Sequence, residues 1–361
     1  MKRILISLTY YYPNISGVTI YAKLLAEELA KRKKEVTILT SAYDKKLMFE
    51  EEVDGVKIKR SGVVFHLGKG VIMPMFWLDS LLAVKNTDVV NCHLPQIESV
   101  WLALWARVFR KKLIVTHHCE FGFDGPLSNK FIAVISYPFH LITYLLADKI
   151  IAYTQDYANH SMFLKLFKNK LKIILPPIRI NSTPQSSFDK EGKFKNSKIV
   201  GFVGRIAWEK GLDVLVEAMK QVKAKLVLVG PYDKVVGDKT YEKLKDKVSF
   251  YGPMAHEDLG EFYKKCNCLV LPSTSNLETF GIVQAEAMIY GCPVVASNLP
   301  GVRAPVKLTG MGLIAKVGDS QDLALKINRV LKTKYPDSLI MKAKELFSFD
   351  VFVKRYLSIF S

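Results

Sequence analysis

Cysteine is scarce: the chain of 361 residues has five, an odd number. That count excludes a fold stapled by disulfides and fits a reducing setting. No Cys-x-x-Cys or His-Glu-x-x-His spacing occurs, so a zinc site is not expected. Apolar runs are short. The longest nearly uncharged one, 131–147, is interrupted by Pro138 and His140. It falls below the ~20 apolar residues a spanning helix needs, and no transmembrane segment is expected. The first apolar run, 4–8, stops at Thr9 without a cleavage pattern, which favours a β-strand over a secretory signal. Glycine (21) and proline (15) are too few for a collagen-like or low-complexity chain.

What is present is ordinary globular material, 49% hydrophobic and 24% charged, in a length that suggests two domains. The unusual feature is a net charge of +18. It is spread: residues 1–180 carry 25 basic and 15 acidic side chains, and residues 181–361 carry 27 and 19. A nucleic-acid binder concentrates charge on one module and shows a recognition motif. Neither holds here, so no nucleic-acid partner is expected. Solvated basic surface, an anionic substrate or an anionic membrane face remain.

Short apolar runs at 4–8, 36–39, 56–60, 88–91, 113–116, 149–152 and 172–175 alternate with amphipathic stretches such as 21–33 and 99–110. Such alternation predicts a parallel α/β sheet. From Pro176-Pro177 to Lys198 the pattern gives way to Ser, Pro, Lys and Asn, which reads as a linker over 179–198. Strands resume at 198–203, 226–229, 248–251, 268–271 and 293–296, with helices at 211–220, 240–245, 256–264, 282–290 and 320–331. The fold class is therefore α/β, with two Rossmann-like domains, 1–178 and 199–346, facing across a cleft. In such sheets ligands bind beyond the carboxyl ends of the strands.

Two segments carry chemistry. Gly201-Phe202-Val203-Gly204-Arg205, followed by Glu209-Lys210-Gly211, is a strand running through a glycine turn into a helix. Its tip offers a guanidinium for forked phosphate contacts and an ammonium as a point charge. A basic loop without a ligand is the plain alternative. The second segment runs from Pro272 to Gly281 and on through a helix containing Glu286. At Gly281 a helix begins, and its free N–H groups favour an anion. Glu286 lies about 7 Å further along the axis, where a carboxylate could accept from two vicinal hydroxyls. Its neighbours Ala285, Ala287 and Met288 are apolar, so a buried carboxylate there needs a partner.

The ordered set Gly204-Arg205, Lys210-Gly211, then Glu278 with seven residues between it and Glu286, resembles glycosyltransferase group 1, the retaining family 4 with the GT-B fold. The run 287–297 and Phe347-Ser348-Phe349 before the last helix are similar to that family's later segments. The likeness spans essentially the whole chain and is strongest over 199–318. It implies that residues 347–361 cross back onto the N-terminal domain. It implies that Arg205 and Lys210 hold the donor diphosphate and that Glu286 binds the ribose. Glu278, with the backbone of Thr279, Phe280, Gly281 and Ile282, would face the donor sugar and phosphates. Met254 lies in a turn resembling the one that lines the nucleobase. Gly17 would approach the donor, in a loop where Ser16 replaces the first of a usual glycine pair. Thr116-His117-His118-Cys119 resembles the segment whose histidine meets the sugar, which points to His118. His118, Glu278, Arg205 and Lys210 are then the expected catalytic residues.

The implied reaction is retaining transfer of a hexose from a UDP- or GDP-sugar. No Asp-x-Asp occurs in the chain, so no cofactor and no metal are expected. The electrostatic work then falls to Arg205, Lys210 and the helix N-terminus. Apolar stretches at 71–78 and 100–105, beside Arg107, Arg110, Lys111 and Lys112, fit a lipid-linked or cell-envelope glycan acceptor. They also fit a cytoplasmic protein peripheral to the inner face of the cell membrane. Rival readings are a nucleotide-sugar epimerase of the same shape and a basic nucleic-acid-binding module.

Overall fold

The computed structural model describes residues 2–67, 70–120, 127–178, 197–232, 242 and 248–361. The expected linker lies outside these apart from its last two residues, as does the helix expected at 240–245 apart from Glu242. Two units result: Met1–Pro177 with Asp350–Ser361, and Ile178–Phe349.

The first unit holds β1 (Arg3–Ser7), β2 (Glu35–Ala42), β3 (Glu50–Val53), β4 (Val56–Gly62), β5 (Phe65–Leu67), β6 (Gly70–Ile72), β7 (Val89–Leu94), β8 (Lys112–His117), β9 (Lys149–Ala152) and β10 (Leu171–Ile173). Eight of these form one sheet in the order β10-β9-β8-β7-β1-β2-β4-β3. Pairing is parallel except at β3, which runs antiparallel to β4. The purely parallel expectation is corrected there: Asp54 and Gly55, at φ 52 and 75, make a two-residue turn, and Asp-Gly is a strong hairpin dipeptide. β5 and β6 form a separate antiparallel pair.

The second unit holds β11 (Ile199–Val203), β12 (Lys225–Val229), β13 (Ser249–Gly252), β14 (Cys268–Leu271), β15 (Val294–Ser297) and β16 (Gly312–Ala315). They form an all-parallel sheet in the order β13-β12-β11-β14-β15-β16. Strands β7 (VVNCHL), β11 (IVGFV) and β14 (CLVL) are buried at every residue. Sheets covered on both faces need such unbroken runs rather than alternation. Each sheet reverses its strand order once, between β1 and β7 and between β11 and β14. Those are the points where the loops diverge and leave room for a ligand.

Local signals set the helix that follows β1, Gly17–Lys31. Ser16 caps it by accepting from Thr19 N at 3.2 Å, a contact that satisfies one of the helix's open donors. Tyr21, Leu25 and Leu29 repeat every fourth residue and are buried, so one stripe faces the core. The last helix, Phe349–Phe360, buries Phe352, Val353, Tyr356 and Phe360. Lys2 Nζ donates to Phe360 O at 2.9 Å and Arg355 Nη1 to Ile173 O at 3.3 Å, fastening residues 350–361 to the first unit.

Candidate functional site

In the second unit the loops after β11 and β14 flank the reversal point and are bonded together. Thr274 N donates to Glu209 O at 3.1 Å. Gly211, at φ 64, closes the β11 loop in a left-handed conformation, and a Cβ there would lie 2.2 Å from Pro272 O. The backbones therefore approach to a distance only glycine permits.

Both expected cations are present, each against a carboxylate. Lys210 Nζ lies 2.5 Å from Glu278 Oε2, and Arg205 Nη2 pairs with Glu209. Glu278 uses its other oxygen to accept from Gly281 N at 2.9 Å. One carboxylate thus joins an ammonium to the start of the helix Ile282–Ile289. The arrangement leaves most guanidinium donors and two ammonium donors for another anion. Neither cation is sealed: the Arg205 and Lys210 side chains are 28% and 20% exposed. Phe280 is buried, its ring 6.0 Å from that of Phe347, so only its backbone can serve a ligand. Ile282 is half-buried.

Glu286 is the buried carboxylate that needed a partner, and it has two. His256 Nε2 lies 2.9 Å from Oε1 and the Tyr263 hydroxyl donates to Oε2 at 2.8 Å. The hydrogen bond to Glu286 raises the His256 pKa against the opposing effect of burial, so the pair is ionic over a wider pH range than a free histidine would allow. Burial, then Glu286, raises that of Tyr263. Met254 sits two residues before His256, half-buried, in the turn after β13. His256, Tyr263 and Glu209 were not singled out from the sequence. No pattern along the chain marks His256 and Tyr263 as partners of Glu286: His256 opens a 3-10 turn, His256–Asp258, Tyr263 lies on the next helix, Leu259–Lys265, and they stand 30 and 23 residues before the carboxylate.

The remaining expected residues belong to the first unit. Gly17 is exposed at the start of its helix. His118 follows β8 directly and is 3% exposed. Both its ring nitrogens have protein partners: Nε2 faces His93 Nδ1 at 2.9 Å, and Nδ1 meets the Tyr153 hydroxyl. Burial, with His93 and His117 nearby, holds its pKa well below the usual histidine value, so the ring is neutral. Its neighbour His117 is bonded to Tyr144 and Tyr157 and is a core histidine.

Two family models match the chain, Glycosyltransferase Family 4 over residues 15–181 and Glycosyl transferases group 1 over residues 185–346. An uncharacterised glycosyltransferase of Methanocaldococcus jannaschii is 27% identical, with 98% of this chain and 96% of that protein aligned. The N,N'-diacetylbacillosaminyl-diphospho-undecaprenol alpha-1,3-N-acetylgalactosaminyltransferase of Campylobacter jejuni is 24% identical over 96% of each chain. Among solved structures, Anabaena HepE in complex with UDP and glucose matches with a TM-score of 0.77 at 20% identity, covering 99% of both chains. That last likeness is one of fold.

Proposed function

Because the chain belongs to the group 1 glycosyltransferases and has their GT-B fold, we propose a specific reaction for it: retaining transfer of a hexose from a nucleotide-diphospho-sugar. The acceptor is a hydroxyl of a lipid-linked or cell-envelope glycan. The observation that carries this reading is the joined cluster Lys210, Glu278 and Gly281 N–H beside Arg205. It sets two cations and a helix N-terminus around one sheet reversal point.

As the bond from the anomeric carbon to the phosphate oxygen breaks, negative charge grows on the diphosphate. Arg205 and Lys210 offset that charge. Glu278 holds Lys210 in place until the diphosphate competes for it. Glu286 takes the ribose: each oxygen accepts one bond from the protein and keeps capacity for a ribose hydroxyl. The acceptor oxygen bonds the anomeric carbon on the face the phosphate leaves, and its proton passes to the departing diphosphate. His118 donates to a sugar hydroxyl, Gly17 approaches the donor, and Met254 lines the base. No metal enters these steps. UDP is the nucleotide bound in the Anabaena protein, which supports a UDP- or GDP-sugar here.

The acceptor side rests on three helices of the first unit, Phe76–Lys85, Ser99–Val108 and Leu127–Leu146, which pack side by side. Their outer side shows Trp77, Trp101, Leu104, Val134, Phe139, Ile142 and Leu145 to solvent. No charged residue occurs between Phe131 and Ala147, while Arg110, Lys111 and Lys112 lie close in sequence to Trp101 and Leu104. An apolar surface beside cations suits the anionic inner face of a cell membrane, with the protein cytoplasmic and peripheral. None of the described helices is long and apolar enough to cross a membrane. The Campylobacter relative, named for a diphospho-undecaprenol substrate, supports the lipid-linked acceptor.

The deciding experiment is a donor panel of UDP-, GDP- and ADP-sugars, with and without lipid extract, in buffer containing EDTA. The expected result is slow donor hydrolysis alone and sugar transfer, with retained anomeric configuration, once lipid is added. Epimer formed without acceptor would replace this reading with an epimerase. Activity abolished by EDTA would overturn the metal-free mechanism.

A further inference from the structure

An enclosed chain of side-chain hydrogen bonds crosses the first unit. The Tyr21 and Tyr356 hydroxyls are 2.8 Å apart, and Tyr356 lies 3.0 Å from Thr116 Oγ1. Thr116 donates to Asn91 Oδ1 at 2.9 Å. Asn91 Nδ2 lies 3.1 Å from His93 Nε2. His93 Nδ1 faces His118 Nε2 at 2.9 Å, and His118 Nδ1 meets the Tyr153 hydroxyl. Every member is at most 5% exposed, so water does not compete for these bonds.

The chain has a direction. Thr116 has one hydroxyl proton, given to Asn91, so Tyr356 must donate to Thr116. Tyr356 then accepts from Tyr21 by the same count. At the other end Asn91 Nδ2 is a donor, so His93 Nε2 is an acceptor and its proton resides on Nδ1. That proton goes to His118 Nε2, which leaves the His118 proton on Nδ1, toward Tyr153. Each ring's tautomer is fixed by the group on its far side. Burial keeps the rings uncharged, with the His93 pKa lowered to about 3.

We propose that Tyr356, Thr116 and Asn91 are positioning residues for His118: through His93 they fix which ring nitrogen carries its proton. The C-terminal helix thereby controls the histidine by way of one tyrosine hydroxyl. The inference rests on the assignment of His118 to a sugar hydroxyl under the proposed function. Its chemical content is that His118 presents an N–H and no lone pair on the Tyr153 side. It therefore donates to a hydroxyl and takes no proton from one.

The test uses the full chain labelled with ¹⁵N-histidine, read by long-range ¹H–¹⁵N correlation spectra that report tautomers. Wild type should show His93 and His118 with the proton on Nδ1, and no titration between pH 8 and about 5, well above their lowered values. Thr116→Val cuts the chain and Thr116→Ser preserves it. Tyr356→Phe removes the hydroxyl while keeping the ring, should the valine variant fail to fold. In the cut variants both rings should become mixtures of tautomers. Turnover should fall about tenfold to a hundredfold, the scale carried by outer partners of a functional histidine, with donor KM nearly unchanged. The serine variant should keep wild-type spectra and turnover. Unchanged tautomers in Thr116→Val or Tyr356→Phe overturn the proposal, as does full turnover with mixed tautomers. If wild type transfers no sugar from any donor, the functional reading fails, and the spectra alone still decide whether the relay sets His118.

Discussion

Arg205 and Lys210 both sit on the connection after β11, Lys210 at the end of the 3-10 turn Trp208–Lys210, and each is held by a carboxylate, Glu209 and Glu278. Partly exposed pairs of this kind contribute little to stability, so their value lies in holding each cation in place. Removing either cation should then affect chemistry more than folding. Arg205→Ala and Lys210→Ala should each lower turnover by about 10²–10³-fold, the cost of losing one charge-stabilising donor, with melting temperature nearly unchanged. Near-normal turnover in both purified variants would remove the diphosphate-gripping role. His256 supplies a pH signature. Its folded pKa is raised by Glu286, so the stabilisation is whole below about 6.5, the unfolded value, and is lost as pH rises through the folded value. The melting-temperature gap between wild type and His256→Gln should be wider at pH 6 than at pH 9. An equal gap at both pH values refutes the ion pair. The carboxylate at 286 announces itself in the sequence by its apolar neighbours. Its partners do not, because a histidine 30 residues earlier is matched to it only by packing.

Among the elements, strands were the most legible: each apolar run read from the sequence corresponds to a strand within a few residues. β3, β5, β6 and β16 were not read from the sequence; at β3, Glu50-Glu51-Glu52 has no apolar alternation, although the Asp54-Gly55 turn marked the hairpin. The helix Ile282–Ile289 depends on Gly281, at φ 73, where a Cβ would lie 2.3 Å from Leu271 Cδ2 and 2.7 Å from Gln284 Nε2. Gly281→Ala should cost about 1–3 kcal/mol, the range for a strained left-handed residue, and lower the urea midpoint accordingly. A midpoint equal to wild type would show that the turn tolerates a side chain. On the helix Leu127–Leu146, Val134 and Phe139 are exposed and apolar. Substituting both with Glu should leave folding intact and abolish flotation with anionic liposomes at low salt. Persistent flotation of the double variant, or none by wild type, would move membrane contact elsewhere or remove it.

For the whole molecule, buried neutral histidines shape the acid response. Burial lowers His93 and His117 to about 3. A depressed histidine contributes stability that is complete above its unfolded value and lost as pH falls toward the folded one. Below about pH 6.5 each should remove about 1.4 kcal/mol per pH unit. Urea unfolding at pH 7, 5.5 and 4.5 checks this, with His117→Gln expected to show a shallower decline. Parallel declines in the two proteins would place the acid sensitivity on other groups.

Local pattern was enough for the α/β class, most of the strand positions, the glycine turns at 204–211 and 281, and the spacing of Glu278 from Glu286, because each is a matter of neighbours along the chain. Partner choice was not. Lys210 meets a carboxylate 68 residues away, and Tyr21 bonds a tyrosine 335 residues away. Those distances close only when strand order is settled, with β14 beside β11 and the last helix laid on the first unit. Hydrophobic periodicity records which side of an element is buried. It carries no record of which element arrives to bury it, and so the side-chain pairings were decided by the tertiary fold.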